Sequence, residues 1–141
     1  MATTTATVSI SSGDLTPGTA LNINASTTCM KAGLTTGLEK MEMGTNILTT
    51  ANGTTSLKLA TAAGADGASK VYLCNNATDD TFYIRLDLHD TIVGRLYAGD
   101  WLFLPWSQND TTNELVIQAF GGSCPYEYAI FKEDETIVAG S

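Results

Sequence analysis

The chain has 141 residues, 43% of them hydrophobic, and a formal net charge of −8 at pH 7. This length allows one domain with a substantial core, so we predict a single domain over residues 1–141. The seven Lys and Arg residues are scattered, which argues against the basic patch that nucleic-acid binding requires.

The cysteines point to no metal site or disulfide framework. Cys29, Cys74 and Cys124 are far apart and odd in number, so neither a complete set of disulfides nor a CxxC motif fits them. We expect three mostly buried, reduced thiols. The first residues lack the basic and apolar segments of a secretory signal, and no stretch approaches the length of a membrane span, so we expect no membrane partner.

The first half of the chain predicts strands built mostly of small side chains. All eleven aromatic residues lie at or after Tyr72, and Thr, Ala, Gly and Ser dominate before it. A disordered N-terminal half is one reading of this composition. Val8/Ile10 and Leu21/Ile23, however, alternate with polar residues in the two-residue period of half-buried strands, which favours strands.

One further strand and a hairpin are expected before the aromatic half. Met41 and Met43 alternate with charged residues, as in a short strand. Asn52-Gly53 suits a type I′ turn and predicts a hairpin between residues 47–50 and 56–60.

The second half of the chain predicts strands with larger and aromatic side chains. In residues 81–89, apolar side chains alternate with polar ones, which is typical of a strand with one wet face. The other strands predicted in this half are Lys70–Asn75, Leu115–Phe120, Tyr126–Phe131 and an edge strand at Thr136–Ala139.

The block Ile92–Trp106 reads I-V-G-R-L-Y-A-G-D-W-L-F-L-P-W and forms the centre of the pattern. Two short apolar runs are separated by Ala98-Gly99-Asp100. Gly99 accepts a positive φ and Asp100 can hydrogen-bond the local backbone, so a tight reversal has a mechanism there. We predict a hairpin or a closely similar corner.

Nine or ten strands spaced about ten residues apart predict an all-β domain. We expect an antiparallel β-sandwich of jelly-roll or immunoglobulin-like type, with a small β-barrel as the alternative. The residues expected to supply much of the core are Ile84, Leu86, Leu88, Leu102, Leu104, Val116, Tyr128 and Ile130.

The sequence offers little catalytic chemistry. His89 is the only histidine, lies on the polar face of a strand and has no Gly-x-Ser-x-Gly elbow to join, so we expect a solvated side chain. No phosphate-binding loop occurs either. We therefore predict a protein that is not an enzyme, has no catalytic residues and needs no cofactor.

The sequence gives only weak support to two ligand sites, one for calcium and one for a sugar. Four acids, at Asp79, Asp80, Asp87 and Asp90, offer oxygen ligands for calcium, but without the spacing of an EF-hand. Trp101 and Trp106 suggest a sugar-stacking platform, yet five residues apart on a regular strand they face opposite sides, so at least one is expected in the core.

Several stretches resemble one class of proteins. They are A-T-V-S-I-S-S-G-D-L-T-P-G-T-A-L-N-I near the start, K-V-Y-L-C-N-N-A, the block Ile92–Trp106 and the closing Y-E-Y-A-I-F. Together they resemble small virion proteins of tailed bacteriophages, and among these the capsid decoration (cement) proteins of marine and cyanobacterial phages. The resemblance covers most of the chain and brings no catalytic residue with it.

This resemblance implies a structural protein on the capsid surface of a virion, made in the host cytoplasm, whose partner is the major capsid protein. We expect a homo-oligomer, with a trimer first because capsid lattices offer threefold axes. Val8 and Ile10, in an extended N-terminal arm of about residues 1–10, are the residues we assign to partner contact, since their alternation suits strand addition. The alternative function is a tail-associated or receptor-binding β module that recognises carbohydrate.

Overall fold

The computed structural model describes residues 4–16, 18–29, 41–50, 54–57, 67–108 and 114–132. These residues form ten strands and no α-helix, which confirms the all-β prediction. The strands are β1 (Thr4–Thr16), β2 (Thr19–Cys29), β3 (Met41–Leu48), β4 (Thr54–Leu57), β5 (Gly67–Asn75), β6 (Tyr83–Leu88), β7 (Thr91–Tyr97), β8 (Trp101–Gln108), β9 (Leu115–Phe120) and β10 (Cys124–Lys132).

Eight of these strands form two four-stranded antiparallel sheets. The first sheet has the order β3-β10-β5-β8 and the second has the order β4-β9-β6-β7. Buried side chains from both sheets belong to one hydrophobic core, so the domain is a β-sandwich. Pro105 lies in β8, an edge strand of the first sheet, where a residue without an N–H does least harm to the ladder.

The order of pairing identifies the sandwich as a jelly roll. Strand β6 pairs with β7, β5 with β8, β4 with β9 and β3 with β10, as in one long hairpin. Wrapping this hairpin around the core adds the pairs β5–β10 and β6–β9. The result is the eight-stranded, double-sheet arrangement of jelly rolls, not the unequal sheets of an immunoglobulin domain. The described strands stay in separate sheets and do not close into the barrel considered as the alternative.

The reversal at Ala98-Gly99-Asp100 is a corner between the sheets and not a hairpin. Strand β7 belongs to the second sheet and β8 to the first, so the two do not pair. Gly99 has a φ of 85°, as the turn chemistry predicted. The Asp100 N–H donates to the Tyr97 carbonyl at 2.9 Å, and the Tyr97 N–H donates to Asp100 Oδ2 at 2.9 Å.

Asn75, at the end of β5, holds this corner in place. The Gly99 N–H donates to the Asn75 carbonyl at 2.8 Å, and the Asn75 N–H donates to the Asp100 carbonyl at 2.9 Å. The fully buried Asn75 side chain donates from Nδ2 to the Leu96 carbonyl at 2.8 Å, and its Oδ1 accepts from the Ala77 N–H at 2.9 Å. One amide therefore ties a strand of the first sheet to the end of β7 in the second.

The hairpin predicted at Asn52-Gly53 is wrong in its pairing. Strand β3 pairs with β10 and β4 pairs with β9, in different sheets, so the flanking strands do not form a hairpin. The turn residues 51–53 lie outside the described residues, as does the edge strand predicted at Thr136–Ala139. Asn-Gly indicates a chain reversal, but the wrapped topology decides which strands then pair.

Most of the predicted core lies in the core. Ile84, Leu86 and Ile130 are buried, and Leu88, Leu102, Leu104 and Tyr128 are half-buried against them. Val116 is the exception, because its neighbours Leu115 and Ile117 point inward and the two-residue period of β9 therefore turns Val116 outward. In the sequence, three consecutive apolar residues at 115–117 do not show which of them face the core.

The hydrogen bonds of Asn75, which we call the amide clamp, predict a large effect for a single polar substitution. We expect Asn75→Ala to lower the free energy of unfolding by about 2–4 kcal/mol, because it leaves the Leu96 carbonyl and the Ala77 N–H without their partners. The control is Asn76→Ala, whose exposed side chain accepts from the Cys74 thiol at 3.3 Å. Urea unfolding followed by circular dichroism measures both, and equal midpoints would contradict the clamp.

The corner predicts a difference between two glycines. A Cβ at Gly99 or at Gly94 meets nothing within 4 Å, but only Gly99 has a positive φ. We expect Gly99→Val to destabilise the domain by about 1–3 kcal/mol through backbone strain, and Gly94→Val, within β7, to be neutral or slightly stabilising. If thermal unfolding shows the same shift for both variants, the positive φ of Gly99 does not matter to stability.

Candidate functional site

Strands β1 and β2 form a two-stranded antiparallel ribbon, which we call the arm. In the described part of the chain these two strands pair only with each other. Val8 and Ile10, the residues assigned to partner contact from the sequence, lie in β1. Residues 4–10 are thus one side of a hairpin that continues to Cys29, and the arm is longer than the ten residues expected.

The register gives the arm one apolar and one polar face. Val8 lies directly opposite Ala25, and Ile10 lies opposite Ile23. The residues between them, such as Ser9 opposite Asn24, face the other way and are exposed. The face that carries Val8 and Ile10 is therefore aliphatic, and its reverse is a surface of Thr, Ser and Asn.

The apolar face is only partly covered. Val8 and Leu21 are half-buried, whereas Ile10 is 48% exposed and Ile23 is 43% exposed. Isolated two-stranded ribbons are marginally stable in water, and three or more strands or packing on another element are needed for independent stability. The outer part of the arm is therefore a surface suited to a partner.

The arm is almost free of charge. Asp14 is the only charged residue within β1 and β2. In a chain with a net charge of −8, a long surface with one charge stands apart. Depletion of charge together with exposed aliphatic groups is typical of the buried centre of protein interfaces.

At its base the arm borders an aromatic groove on the outer face of the first sheet. The groove has a volume of about 370 Å³ and is lined by residues 4–8 of β1 and by Tyr72, Trp101, Phe103 and Phe131. Tyr72 lies directly opposite Phe103 across the β5–β8 pair. Among the described residues, no charged side chain lines the groove; because outer faces of antiparallel sheets are normally polar, this surface is unusual.

The two tryptophans have different environments. Trp106 is 4% exposed and packs in the core, while Trp101 is 50% exposed and lies at the groove. This confirms that at least one of the pair is core, and the two rings do not form a common platform. The aromatic neighbours of Trp101 come from strands β5, β8 and β10, a grouping that sequence spacing did not reveal.

The outer face of the second sheet carries both arginines of the chain. Arg85 and Arg95 are directly opposite each other on β6 and β7. Arg85 donates two 2.9 Å hydrogen bonds to Asp87, and the Arg95 guanidinium lies 4.7 Å from the centre of the Tyr83 ring. Tyr83 stacks on Phe120 with ring centroids 5.0 Å apart. This surface is satisfied internally by ion pairing and ring contacts.

His89 lies in a turn, with a φ of 53° and an exposed side chain. Its backbone N–H donates to the Glu114 carbonyl at 2.6 Å, and its Nε2 lies 3.2 Å from Asp90 Oδ2. These contacts connect the β6–β7 turn to the residue before β9. The side chain is solvated, as expected, but the residue lies in the turn after β6 and not on the strand face predicted from the sequence.

Three of the four acids considered as calcium ligands, Asp79, Asp87 and Asp90, make separate contacts. Asp79 Oδ1 accepts from the Thr81 N–H and hydroxyl, and these bonds lower the pKa of Asp79. Asp87 is paired with Arg85, and Asp90 with His89. Among the described residues, no group of three or more His, Cys, Asp or Glu side chains is placed to hold a metal ion.

All three cysteines are free and buried, as expected. Cys124 lies in the core, and burial raises the pKa of its thiol, although a hydrogen bond with Asn75 opposes the shift. Cys29 is buried where β2 ends, at the base of the arm. A thiol that stays protonated and out of contact with solvent is unreactive.

Comparisons with known proteins add no relative. No family model matches the chain, and no curated protein matches it. Within the described ranges there is also no helix long and apolar enough to cross a membrane. The arm, the groove and the charge distribution are therefore the observations on which a function must rest.

The buried thiols predict slow chemical modification. In the folded chain we expect no fast reaction with Ellman's reagent, because all three thiols are shielded, whereas three equivalents should react in denaturant. The absorbance of the released thionitrobenzoate measures both. A full equivalent reacting at once in native buffer would contradict the burial of at least one cysteine.

Proposed function

We propose that the chain is a capsid decoration protein of a tailed bacteriophage, a structural protein that binds and stabilises a shell of major capsid protein and catalyses no reaction. The observation that carries this proposal is the arm, an uncharged ribbon with an aliphatic pair half exposed at Ile10 and Ile23. The jelly roll itself occurs in viral capsid and lectin domains, so it is compatible with a virion protein without selecting one.

A decoration protein needs contact area more than chemistry. Besides the arm, two edge strands of the sandwich expose aliphatic side chains, Met43 and Ile47 on β3 and Ile92 and Val93 on β7. A standard stable interface takes about 800 Å² from each partner, and several weak contacts on one lattice add up through multivalency. Such a protein would be found on the capsid surface, as a homo-oligomer; the trimer stays a prediction.

The partner contact assigned to Val8 and Ile10 extends to β2. Ile23 lies directly opposite Ile10 on the same face, so a partner that covers one also reaches the other. Residues on the reverse face point away from such a partner. Substitutions on the two faces of β2 therefore separate the effect of the apolar surface from that of added charge.

The arm is tested by two neighbouring substitutions. We expect Ile23→Asp to weaken binding to undecorated capsids by at least about tenfold, since it places a charge in an apolar contact. Asn24→Asp adds the same charge on the exposed polar face and is expected to bind as the wild type does. Co-sedimentation with capsids measures both, and equal binding would show that the apolar face of β2 is not the docking surface.

The copy number in virions tests the proposal as a whole. Quantitative mass spectrometry of purified virions is expected to find hundreds of copies of the chain, as a lattice of capsid subunits requires. A dozen copies or fewer would contradict decoration and indicate a tail component.

The second candidate is a carbohydrate-binding module, tail-associated or receptor-binding. It is favoured by one observation, the half-exposed Trp101 over an uncharged aromatic groove with Thr hydroxyls on one side. A glycan array separates the two functions, because a decoration protein should show no saccharide preference. Saccharide binding that Trp101→Ala abolishes would support the second candidate.

A further inference from the structure

The sequence of β1 is symmetric in character around Val8. Residues 4–12 read T-T-A-T-V-S-I-S-S, so hydroxyl and apolar residues follow the same order in both directions from Val8. An antiparallel copy of this strand, centred on Val8, therefore matches Ala6 with Ile10 and Thr7 with Ser9. Apolar residues meet apolar ones on one face, and hydroxyls meet hydroxyls on the other.

The structure leaves one edge of β1 open beside the aromatic groove. Within the described residues β1 pairs only with β2, so its other row of N–H and C=O groups has no strand partner. The arm side of the groove is formed by residues 4–8 of β1 and by no residue of β2. A strand added to the open edge of β1 would therefore lie over the groove.

We propose that two copies of the chain pair β1 against β1, antiparallel, about a twofold axis at Val8. The two arms then form one four-stranded sheet, ordered β2-β1-β1-β2. In this register Ile10 of the second copy lies beside Ala6 of the first, above the groove that residues 4–8 border. By symmetry each copy supplies its Ile10 to the groove of the other.

The chemistry favours a second copy of this chain as the occupant. The described lining of the groove is aromatic and uncharged, and the half-exposed aliphatic Ile10 has the complementary character. Two chains of net charge −8 repel each other over most of their surfaces, but β1 carries only Asp14 and no described residue of the groove lining is charged. An unrelated strand could use the open edge, but only an identical one is guaranteed the matching order around Val8.

The pairing forms in solution and does not depend on binding to a capsid, but it replaces the trimer expected from capsid lattices with a twofold dimer. It uses Val8, Ile10 and the edge of β1, so in the dimer the contact with another protein falls on Leu21 and Ile23 of β2 and no longer on Val8 and Ile10. Copy number in virions and association in buffer are separate measurements, so either proposal can fail while the other stands.

The mass of the full-length chain in solution tests the pairing first. Sedimentation equilibrium well above micromolar concentration is expected to give twice the 14.9 kDa of one chain. A mass of one chain at every concentration, or of three chains, would overturn the twofold pairing.

Cysteine cross-linking tests the register. Residues at position 8 would lie directly opposite each other, within the range that a disulfide spans, so Val8→Cys is expected to give a covalent dimer on mild oxidation. Ala25→Cys is the control, because residue 25 lies beside Val8 on β2 and the two copies of it would be about 14 Å apart, three strand spacings. Since the native cysteines are buried, they add little background. Equal cross-linking of the two variants would overturn the register.

A pair of charge substitutions tests the groove contact. We expect Ile10→Asp to raise the dissociation constant of the dimer at least about tenfold, because it puts a carboxylate over aromatic rings. Asn22→Asp adds the same charge on the exposed polar face of β2, outside the β1–β1 contact, and should change it little. An unchanged dimer with Ile10→Asp would show that Ile10 does not enter the groove.

Discussion

The sandwich depends on one buried amide, that of Asn75. The long hairpin of eight strands can wrap into two sheets only if the chain leaves the second sheet after Tyr97 and enters the first at Trp101. Asn75 fixes this crossing with main-chain bonds to Gly99 and Asp100 and a side-chain bond to the Leu96 carbonyl. Burying the Asn75 amide does not destabilise the fold while these partners are present, but it would cost free energy of folding if they were lost. The amide clamp therefore specifies a single geometry for the corner.

The arm, unlike the corner at Asn75, has side chains and strand edges that are not satisfied within the described chain. Away from its edge strands, the sandwich satisfies many of its own side chains, with the core inside and ring and ion-pair contacts around Tyr83 and Arg85 outside. The arm leaves an aliphatic pair half exposed and both of its edges without a further strand in the described chain. A ribbon of this kind is not held by its own contacts alone, which is why we infer that it belongs to an interface.

How much of this could be read from the sequence depends on the range of the interaction. Alternation along a strand is local, so the strands around Ile84 and Leu73 and the two environments of Trp101 and Trp106 were predictable. Pairing was not, because a positive φ at Gly99 fits a hairpin and a sheet-crossing corner equally well. The choice is made by Asn75, more than twenty residues away in sequence.

In the candidate site, too, local features were predictable from the sequence and long-range contacts were not. The alternation of Val8 and Ile10 predicted a strand with one apolar side, and that strand is present. The aromatic groove was not predictable, since Tyr72, Phe103 and Phe131 come from three strands that meet only in the folded first sheet. Val116 was misplaced for a local reason, because three consecutive apolar residues in β9 conceal the two-residue period.

The central claim is that the open edge of β1 is covered by another chain. Hydrogen exchange of the β1 amides, followed by NMR or mass spectrometry over a range of protein concentrations, tests it most directly. The account predicts that β1 amides without a bond to β2 exchange slowly when the chain is concentrated and quickly when it is dilute, while the β5 and β10 amides stay protected throughout. Fast exchange of those β1 amides at every concentration would contradict it.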